Sequence, residues 1–303
     1  MGVLIVGSLN IDVVTYLEHM PEPGQTVSGD RIEIFPGGKG LNQAVAAARA
    51  GGDVTMVGVI GNDSNSSLLK QVLLKEKINS DYVRQVTGVC GTAIIEVDNL
   101  GRNRIVVIPG ANSQLKASDL KSDLLEQISS RQVLLCQLES PISELSIIFQ
   151  EAKKSNFFTI LNPAPAQQLE KNFIQLIDLL VPNQFEAEFL TGIKVIDDIS
   201  AIAAGKDLIS QGAKSVLITL GELGSALITN EEAEFFQAFK VKAVDTTAAG
   251  DAFCGALAVA LSEELDVKSA IRFASATGAL SVQSEGATTS MPTRQEIEKL
   301  LAK

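Results

Sequence analysis

The sequence predicts an α/β fold: a mostly parallel sheet with helices on both faces, and a small β-sheet lid beside it. Three observations carry this expectation. Short apolar runs alternate with longer runs of helical period along most of the chain. Polar or glycine-containing segments follow those apolar runs, at the strand ends where open α/β sheets bind ligands. Two pairs of strand-like runs before residue 110 depart from this pattern and read as half-exposed strands of a separate sheet.

Val3 to Gly7 reads as the first buried strand: short, β-branched and ended by glycine. Further buried strands are expected at Val54 to Ile60, Val133 to Gln137, Phe157 to Leu161, Leu176 to Val181 and Val216 to Leu220. Helices are expected at Leu41 to Ala50, Ser64 to Glu76, Ser118 to Ser129, Ser143 to Lys154, Gln184 to Thr191, Ile199 to Gln211 and Ala270 to Val282. Such βα alternation gives a parallel sheet. The second sheet would use Thr26 to Ser28, Arg31 to Phe35, Thr92 to Val97 and Arg104 to Ile108, and fits a lid, a dimer surface, or both. The chain is expected to be one domain, 1–303, with the lid formed by about 13–36 and 92–109.

The strand ends carry the chemistry. Asn10 and Asp12 follow the first strand and suit a polyhydroxy ligand, although a plain polar turn explains them equally well. Gly37-Gly38-Lys39-Gly40 opens the next helix with Asn42 on its first turn. The Walker spacing is not met, so these glycines serve close backbone approach to a ligand rather than a phosphate loop of that kind. Glu139 follows a later strand, and Asn183 stands where it would cap the helix carrying Glu186. Thr219 to Gly224 ends a strand in a glycine turn.

The stretch Val244-Asp245-Thr246-Thr247-Ala248-Ala249-Gly250-Asp251-Ala252-Phe253 organises these parts. A strand-like run, Glu234 to Val244, enters it and a helix-like run, Ala252 to Leu261, leaves it. Small residues there let N–H groups of a helix N-terminus face open space, which attracts phosphate. Asp251 is either the helix cap or a base held beside the phosphate.

Composition narrows the function. Net charge is −11, from 25 basic and 36 acidic residues, which argues against nucleic acid or an anionic membrane as partner. It leaves room for a nucleotide, because helix termini and a metal ion hold phosphates on acidic proteins. Cys90, Cys136 and Cys254 form no CxxC and read as reduced thiols of a cytoplasmic protein. A single histidine, His19, makes a zinc site or a histidine triad improbable. No targeting segment and no apolar run of membrane-spanning length is visible.

The motifs NID, GGKGLNQA, QLESP, NPAPA, VPNQFEAEFLTG, TLGELG and VDTTAAGDAF occur in an order that resembles the ribokinase-like carbohydrate kinase family over essentially the whole chain. One departure is Leu41, where the family commonly has alanine. The resemblance implies a ribokinase-like, Rossmann-type three-layer fold and a homodimer whose lids pair. It implies ATP-dependent phosphorylation of ribose at its 5-hydroxyl, with Mg²⁺ as cofactor. Deoxyribose, another sugar or a nucleoside is the alternative substrate, and a non-catalytic sugar-binding regulator the alternative of another class. With no Trp and only Tyr16 and Tyr82, base stacking of a nucleoside is disfavoured. By the resemblance Asp251 is the general base, with the N–H groups of Ala248, Ala249 and Gly250 as anion hole. Asn10, Asp12, Gly38, Lys39, Asn42 and Glu139 would grip the sugar. Asn183, Glu186, Thr219, Gly221, Gly224 and Gly250 would hold the nucleotide and its Mg²⁺, with Ser275 in the adenine pocket. Asp245 and Thr247, with Ser281, Ser284, Gly286 and Ser290, would form a K⁺ site; a single carboxylate among hard oxygens suits a monovalent ion.

Overall fold

The computed structural model describes residues 2–121, 124–125 and 132–303. The strands of its main sheet are β1 (Gly2–Val6), β4 (Asp53–Ile60), β5 (Asn79–Gln85), β8 (Val133–Cys136), β9 (Phe158–Leu161), β10 (Leu179–Leu180), β11 (Ser215–Thr219), β12 (Gly224–Thr229) and β13 (Ala233–Gln237). Their spatial order is β13-β12-β11-β10-β9-β8-β1-β4-β5. All neighbours are parallel except β11 with β12 and β12 with β13.

Alternation along the strands sends side chains into two cores. Val3, Ile5, Val133 and Leu135 face α1 (Lys39–Arg49), α7 (Ala249–Ser262) and α8 (Val267–Ser281). Leu4, Val6, Leu134 and Cys136 face α3 (Ile142–Lys154) and α6 (Asp198–Gln211). Each buried aliphatic or aromatic side chain contributes roughly 1.5–3 kcal/mol. Such helix–sheet–helix layering is why the central strands are apolar on both faces. The alanine-rich sequence of α1 answers to its neighbour α7. A Cβ on Gly255 would lie 2.5 Å from the Gln43 carbonyl oxygen and 2.8 Å from Ala46 Cβ, so the two helices touch backbone to backbone.

The order of strands locates a site. After β1 the chain moves outward through β4 and β5; from β8 it moves the other way, through β9 to β13. The reversal falls between β1 and β8, and ligands of open α/β sheets bind outside the carboxyl ends of strands at such a point. Ser8 and Asn10 follow β1 there, and Glu139 follows β8.

The small sheet contains β2 (Asn10–Leu17), β3 (Gly29–Gly37), β6 (Gly91–Asp98) and β7 (Asn103–Ile108), in the order β3-β2-β6-β7. Its register gives two faces. Asp12, Ala93 and Val107 form one cross-strand row with Phe35, and Val14, Ile95 and Ile105 form the next on the same side. Ile34, Val13, Ile94 and Val106 lie opposite, and of these Ile34, Ile94 and Val106 are exposed.

Several expectations are corrected. Thr26 to Ser28 is not a strand: it follows the Pro-rich turn at Gly24 (φ 85°), and β2 bonds directly to β3 without it. Asn10 to Asp12 is not a turn but the start of β2, the lid strand that the sequence pattern hides because its burial does not alternate. The run entering the 244–253 stretch is a strand only over β13, an edge strand; 238–248 is irregular. Within Leu176 to Val181 only β10 forms ladder pairs. Half of the helix expected at Ser118 to Ser129 lies outside the described residues, and Ala117–Asp119 is a 3-10 turn.

Candidate active site

A cavity of about 780 Å³ opens between the lid and the main sheet. Asn10, Asp12, Gly38, Lys39, Asn42 and Glu139 all line it, and the lid residues Ala93, Ile95, Ile105 and Val107 roof it. The sequence therefore brought its six sugar-binding candidates to one place. Such an apolar cavity with a few convergent polar groups is the usual form of a small-molecule site.

Close backbone approach explains the glycines. A Cβ on Gly40 would lie 2.6 Å from the backbone N of Ser8, and Leu41 N–H donates to the Ser8 carbonyl at 3.0 Å. Gly38 has φ 90°, the left-handed region where a side chain is strained. This seats the N-terminus of α1 on the end of β1. Glu139 then ties the two together: its Oε2 accepts from Ser8 Oγ at 2.5 Å and from Lys39 N–H at 2.9 Å.

A second, smaller cavity of about 170 Å³ lies at the N-terminus of α7 and is lined by Asn162, Asn183, Glu186, Thr219, Ala249, Gly250 and Cys254. Lys39, Ala248 and Asp251 line both cavities. Ala248 is left-handed (φ 57°), and the first bond of α7 runs from Ala252 N–H to the Ala248 carbonyl at 2.8 Å. The N–H groups ahead of Ala252 therefore have no partner inside the helix. Ala249 N–H leans on the Thr246 carbonyl at 3.3 Å, and nothing stands within 4 Å of the place a Gly250 Cβ would take. A phosphate fits this open, amide-lined corner.

Asp251 does not cap the helix through its side chain. Its Oδ2 accepts from Asn42 Nδ2 at 3.0 Å and its Oδ1 from Gln43 Nε2 at 2.9 Å. Gln43 in turn accepts from Gln137 Nε2 at 2.6 Å, and it also donates to Asn162 Oδ1 at 3.1 Å. Burial raises the Asp251 carboxyl above the usual range and Glu139 adds to this, while Lys39, Gln43 and Asn42 hold it down. Burial works against the charge of Lys39, but Asp251, Glu139 and Glu186 outweigh it and leave its ammonium harder to deprotonate than usual. Asp12 is pushed up to about 7, first by burial, then by the nearby carboxylates of Glu139 and Asp251. Asn42 Oδ1 is buried with no partner among the described residues, an acceptor awaiting a donor.

The remaining candidates divide. Thr219, Asn183 and Glu186 reach the smaller cavity. Asn183 and Glu186 also form the capping box of α5 (Gln184–Thr191): Asn183 Oδ1 accepts from Glu186 N–H at 2.9 Å, and Glu186 Oε2 accepts from Asn183 N–H at 2.8 Å. Gly221, Gly224 and Ser275 line neither cavity. Gly224 has a structural reason for being glycine, since a Cβ there would lie 1.9 Å from the Phe236 carbonyl oxygen. Asp245 and the later loop do meet: Asp245 Oδ1 accepts from Thr247 N–H and Oδ2 from Gly286 N–H, each at 2.9 Å. Ser281 and Ser290 donate to the carbonyls of Gly278 and Ala287, and Ser284 N–H donates to the Ser281 carbonyl.

Sequence reasoning passed over Ser8, Gln43, Asn112 and Asn162. Gln43 and Asn162 stand inside motifs already singled out, so their polarity at buried positions was the available signal. Asn112, in the 3-10 turn Gly110–Gln114, carried none.

Residues 2–294 match the model of the pfkB family of carbohydrate kinases. The chain is 41% identical over 298 residues to the ribokinase of Haemophilus influenzae, covering 98% of this chain and 97% of that protein. The chain belongs to the pfkB family of carbohydrate kinases. It is a phosphotransferase. A deoxyribokinase of Salmonella typhi is 34% identical, with 100% of this chain and 99% of that protein covered. The structure of Arabidopsis thaliana ribokinase complexed with ribose and ATP superposes with a TM-score of 0.92 at 32% identity, covering 99% of this chain and 98% of that one. The expected fold, a ribokinase-like three-layer sheet with a small separate sheet, is thus the family's. Among the described residues no helix is long and apolar enough to cross a membrane.

Proposed function

We propose that this chain transfers the γ-phosphoryl group of ATP to the 5-hydroxyl of D-ribose, giving ribose 5-phosphate. The observation that carries this reading is that Asp251 and Lys39 stand on the wall common to both cavities. A sugar in the larger and a triphosphate in the smaller would meet there. ATP, with its triphosphate in the smaller cavity, would supply the phosphoryl group, and Mg²⁺ would supply the charge that neutralises it.

The chain's own residues do the rest. Asp251 accepts the proton of the attacking hydroxyl, as a base for phosphoryl transfer should. The amides of Ala248, Ala249 and Gly250 face the charge developing on the transferring group. Lys39, held charged by its carboxylate neighbours, adds to that field. Asn10, Asp12 and Asn42 fix the sugar, and the apolar lid residues Ala93, Ile95, Ile105 and Val107 would cover it. Glu186, which lines the smaller cavity beside Asn183, would be the carboxylate for Mg²⁺, an ion that commonly takes one or two carboxylates plus phosphates. Asp245, Thr247 and the loop from Ser281 to Ser290 offer hard oxygens to K⁺ behind the anion turn, and the carboxylate lone pairs left over from two backbone bonds fit such an ion. The exposed apolar row Ile34, Ile94 and Val106 on the outer lid face supports a homodimer through the lids. Similarity to a deoxyribokinase supports 2-deoxyribose as the second candidate substrate. Release of ADP over a panel of pentoses, hexoses and nucleosides tests the reading. The expected result is the highest kcat/KM with ribose; absence of turnover with every pentose would overturn it.

A further inference from the structure

The amide orientations around the larger cavity are dictated by one backbone group. Leu9 N–H can only donate, and it donates to Asn112 Oδ1 at 3.0 Å. The other end of the Asn112 amide is therefore its NH₂, and it donates to Asn10 Oδ1 at 2.7 Å and more weakly to the Leu9 carbonyl at 3.4 Å. With Oδ1 turned to Asn112, the Asn10 amide points its Nδ2 away from that residue, and no hydrogen bond from Nδ2 occurs among the described residues. Asn10 and Asn112 are both 3% exposed, and both line the cavity. Gly91, on the neighbouring lid strand, makes room for the pair. A Cβ there would lie 2.1 Å from Asn10 Oδ1 and 2.1 Å from Asn112 Nδ2.

We propose that Asn112 is a positioning residue that fixes the hydrogen-bond polarity of Asn10, so that Asn10 is a donor to one sugar hydroxyl while Asp12 supplies an acceptor. This rests on the larger cavity being the sugar site. Asn112 then sets which hydroxyl pattern is accepted without bonding that hydroxyl itself. A ligand lacking the oxygen that Asn10 addresses leaves a buried donor unpaired, a loss of roughly 10-fold.

Asn112→Asp keeps the volume and the acceptor for Leu9 N–H but turns a second oxygen toward Asn10. The Asn10 amide then rotates, giving its NH₂ to residue 112 and its oxygen to the cavity. The test compares kcat/KM for ribose with that for 1-, 2- and 3-deoxyribose, together with KM for ATP, in the wild type, Asn112→Asp, Asn112→Leu and Asn10→Ala. In the wild type one deoxy sugar should be disfavoured roughly 10-fold through Asn10. In Asn112→Asp that ratio should collapse toward 1, with ribose KM raised about 10-fold and KM for ATP unchanged. If the buried carboxylate prevents folding, Asn112→Leu decides, since it removes the anchor without adding charge. Retained deoxy-sugar discrimination in a folded Asn112 variant, with Asn10→Ala defective, overturns the positioning role. A uniform loss of kcat with unchanged discrimination also overturns it. Wild-type ribose KM in Asn10→Ala overturns the sugar-site reading instead, and with it the proposal.

Discussion

Gln43 donates its side-chain amide to Oδ1 of Asp251 at 2.9 Å. The direction of that bond is fixed from behind, because Gln137 donates to the other end of the Gln43 amide at 2.6 Å. A buried carboxylate is thus held by Gln43 on one oxygen and Asn42 on the other. Both bonds stabilise the ionised form that a base requires, against the burial that opposes it.

Removal of Gln43 should therefore move a pH profile. Gln43→Leu takes away a bond that lowers the Asp251 pKa, so the carboxyl rises further. Lys39, Asp12, Glu139, Glu186 and Cys254 also surround it and stay unchanged in this variant. The acid limb of kcat/KM should shift to higher pH, with ribose KM at high pH near the wild-type value. A profile superimposable on the wild type would remove Gln43 from this role.

Asp251→Asn should lose turnover by about 10²–10⁴-fold while binding sugar and nucleotide. Folding should survive, because Asn42 Oδ1 has no partner among the described residues and a rotated Asn42 amide would offer it to the new NH₂ group. Single-turnover kinetics and ribose titration check this. Near wild-type kcat would sink the assignment of the base.

Asp12 makes the opposite trade between function and stability. Its carboxyl titrates near 7 when folded against an ordinary 3.8. Between those values the folded chain keeps a proton that the unfolded chain releases, so stability falls as pH rises through that window and the cost is full above about 7. Asp12→Asn should raise Tm at pH 8 by roughly 2–4 °C for each kcal/mol recovered, and by little at pH 4. The same variant should bind ribose more weakly, having lost an acceptor. A Tm gain equal at both pH values would show that ionisation is not the cause.

Much of this was legible in the sequence because the motif residues are consecutive. Gly37 to Gln43 or Val244 to Asp251 each form one local structure, so spacing alone brings their side chains together. The parallel strands were legible for a related reason: burial on both faces leaves only apolar residues, as in β1 and β8. What stayed hidden depends on distant partners. Asn10 stood out as a sugar candidate, but its place in a strand stays hidden until β3 and β6 are seen on either side of it. Asn112 lies 103 residues from the Leu9 amide that orients it. Gly221, Gly224 and Ser275, singled out by motif, lie outside both cavities, and the crowding of Gly224 against Phe236 has no counterpart in its sequence neighbours.

Asp245 ties the turn before α7 to the loop after α8. Its two oxygens bridge sequence positions far apart, accepting from Thr247 N–H and Gly286 N–H, while Val244 and Asp245 N–H both reach the Val282 carbonyl. Burial pushes its carboxyl up, but the bonds from Gly286 and Thr247 outweigh this and hold it below the usual range, so it is ionised at neutral pH. The bridge joins the turn that presents Ala248 to Gly250 to the loop after α8. A monovalent cation bound among these oxygens would stiffen that joint, and so the aim of the amides at the transferring phosphate. We expect K⁺ to raise activity well above the level in Na⁺ at equal ionic strength, since general screening acts alike in both salts. Asp245→Ala should lower activity in both, because the bridge itself is lost, and should also abolish the difference between the salts. The ratio of the two activities, not either alone, is the diagnostic quantity. Equal activity in K⁺ and Na⁺ with Asp245 intact would leave the aspartate as a purely structural bridge, with the kinase assignment standing.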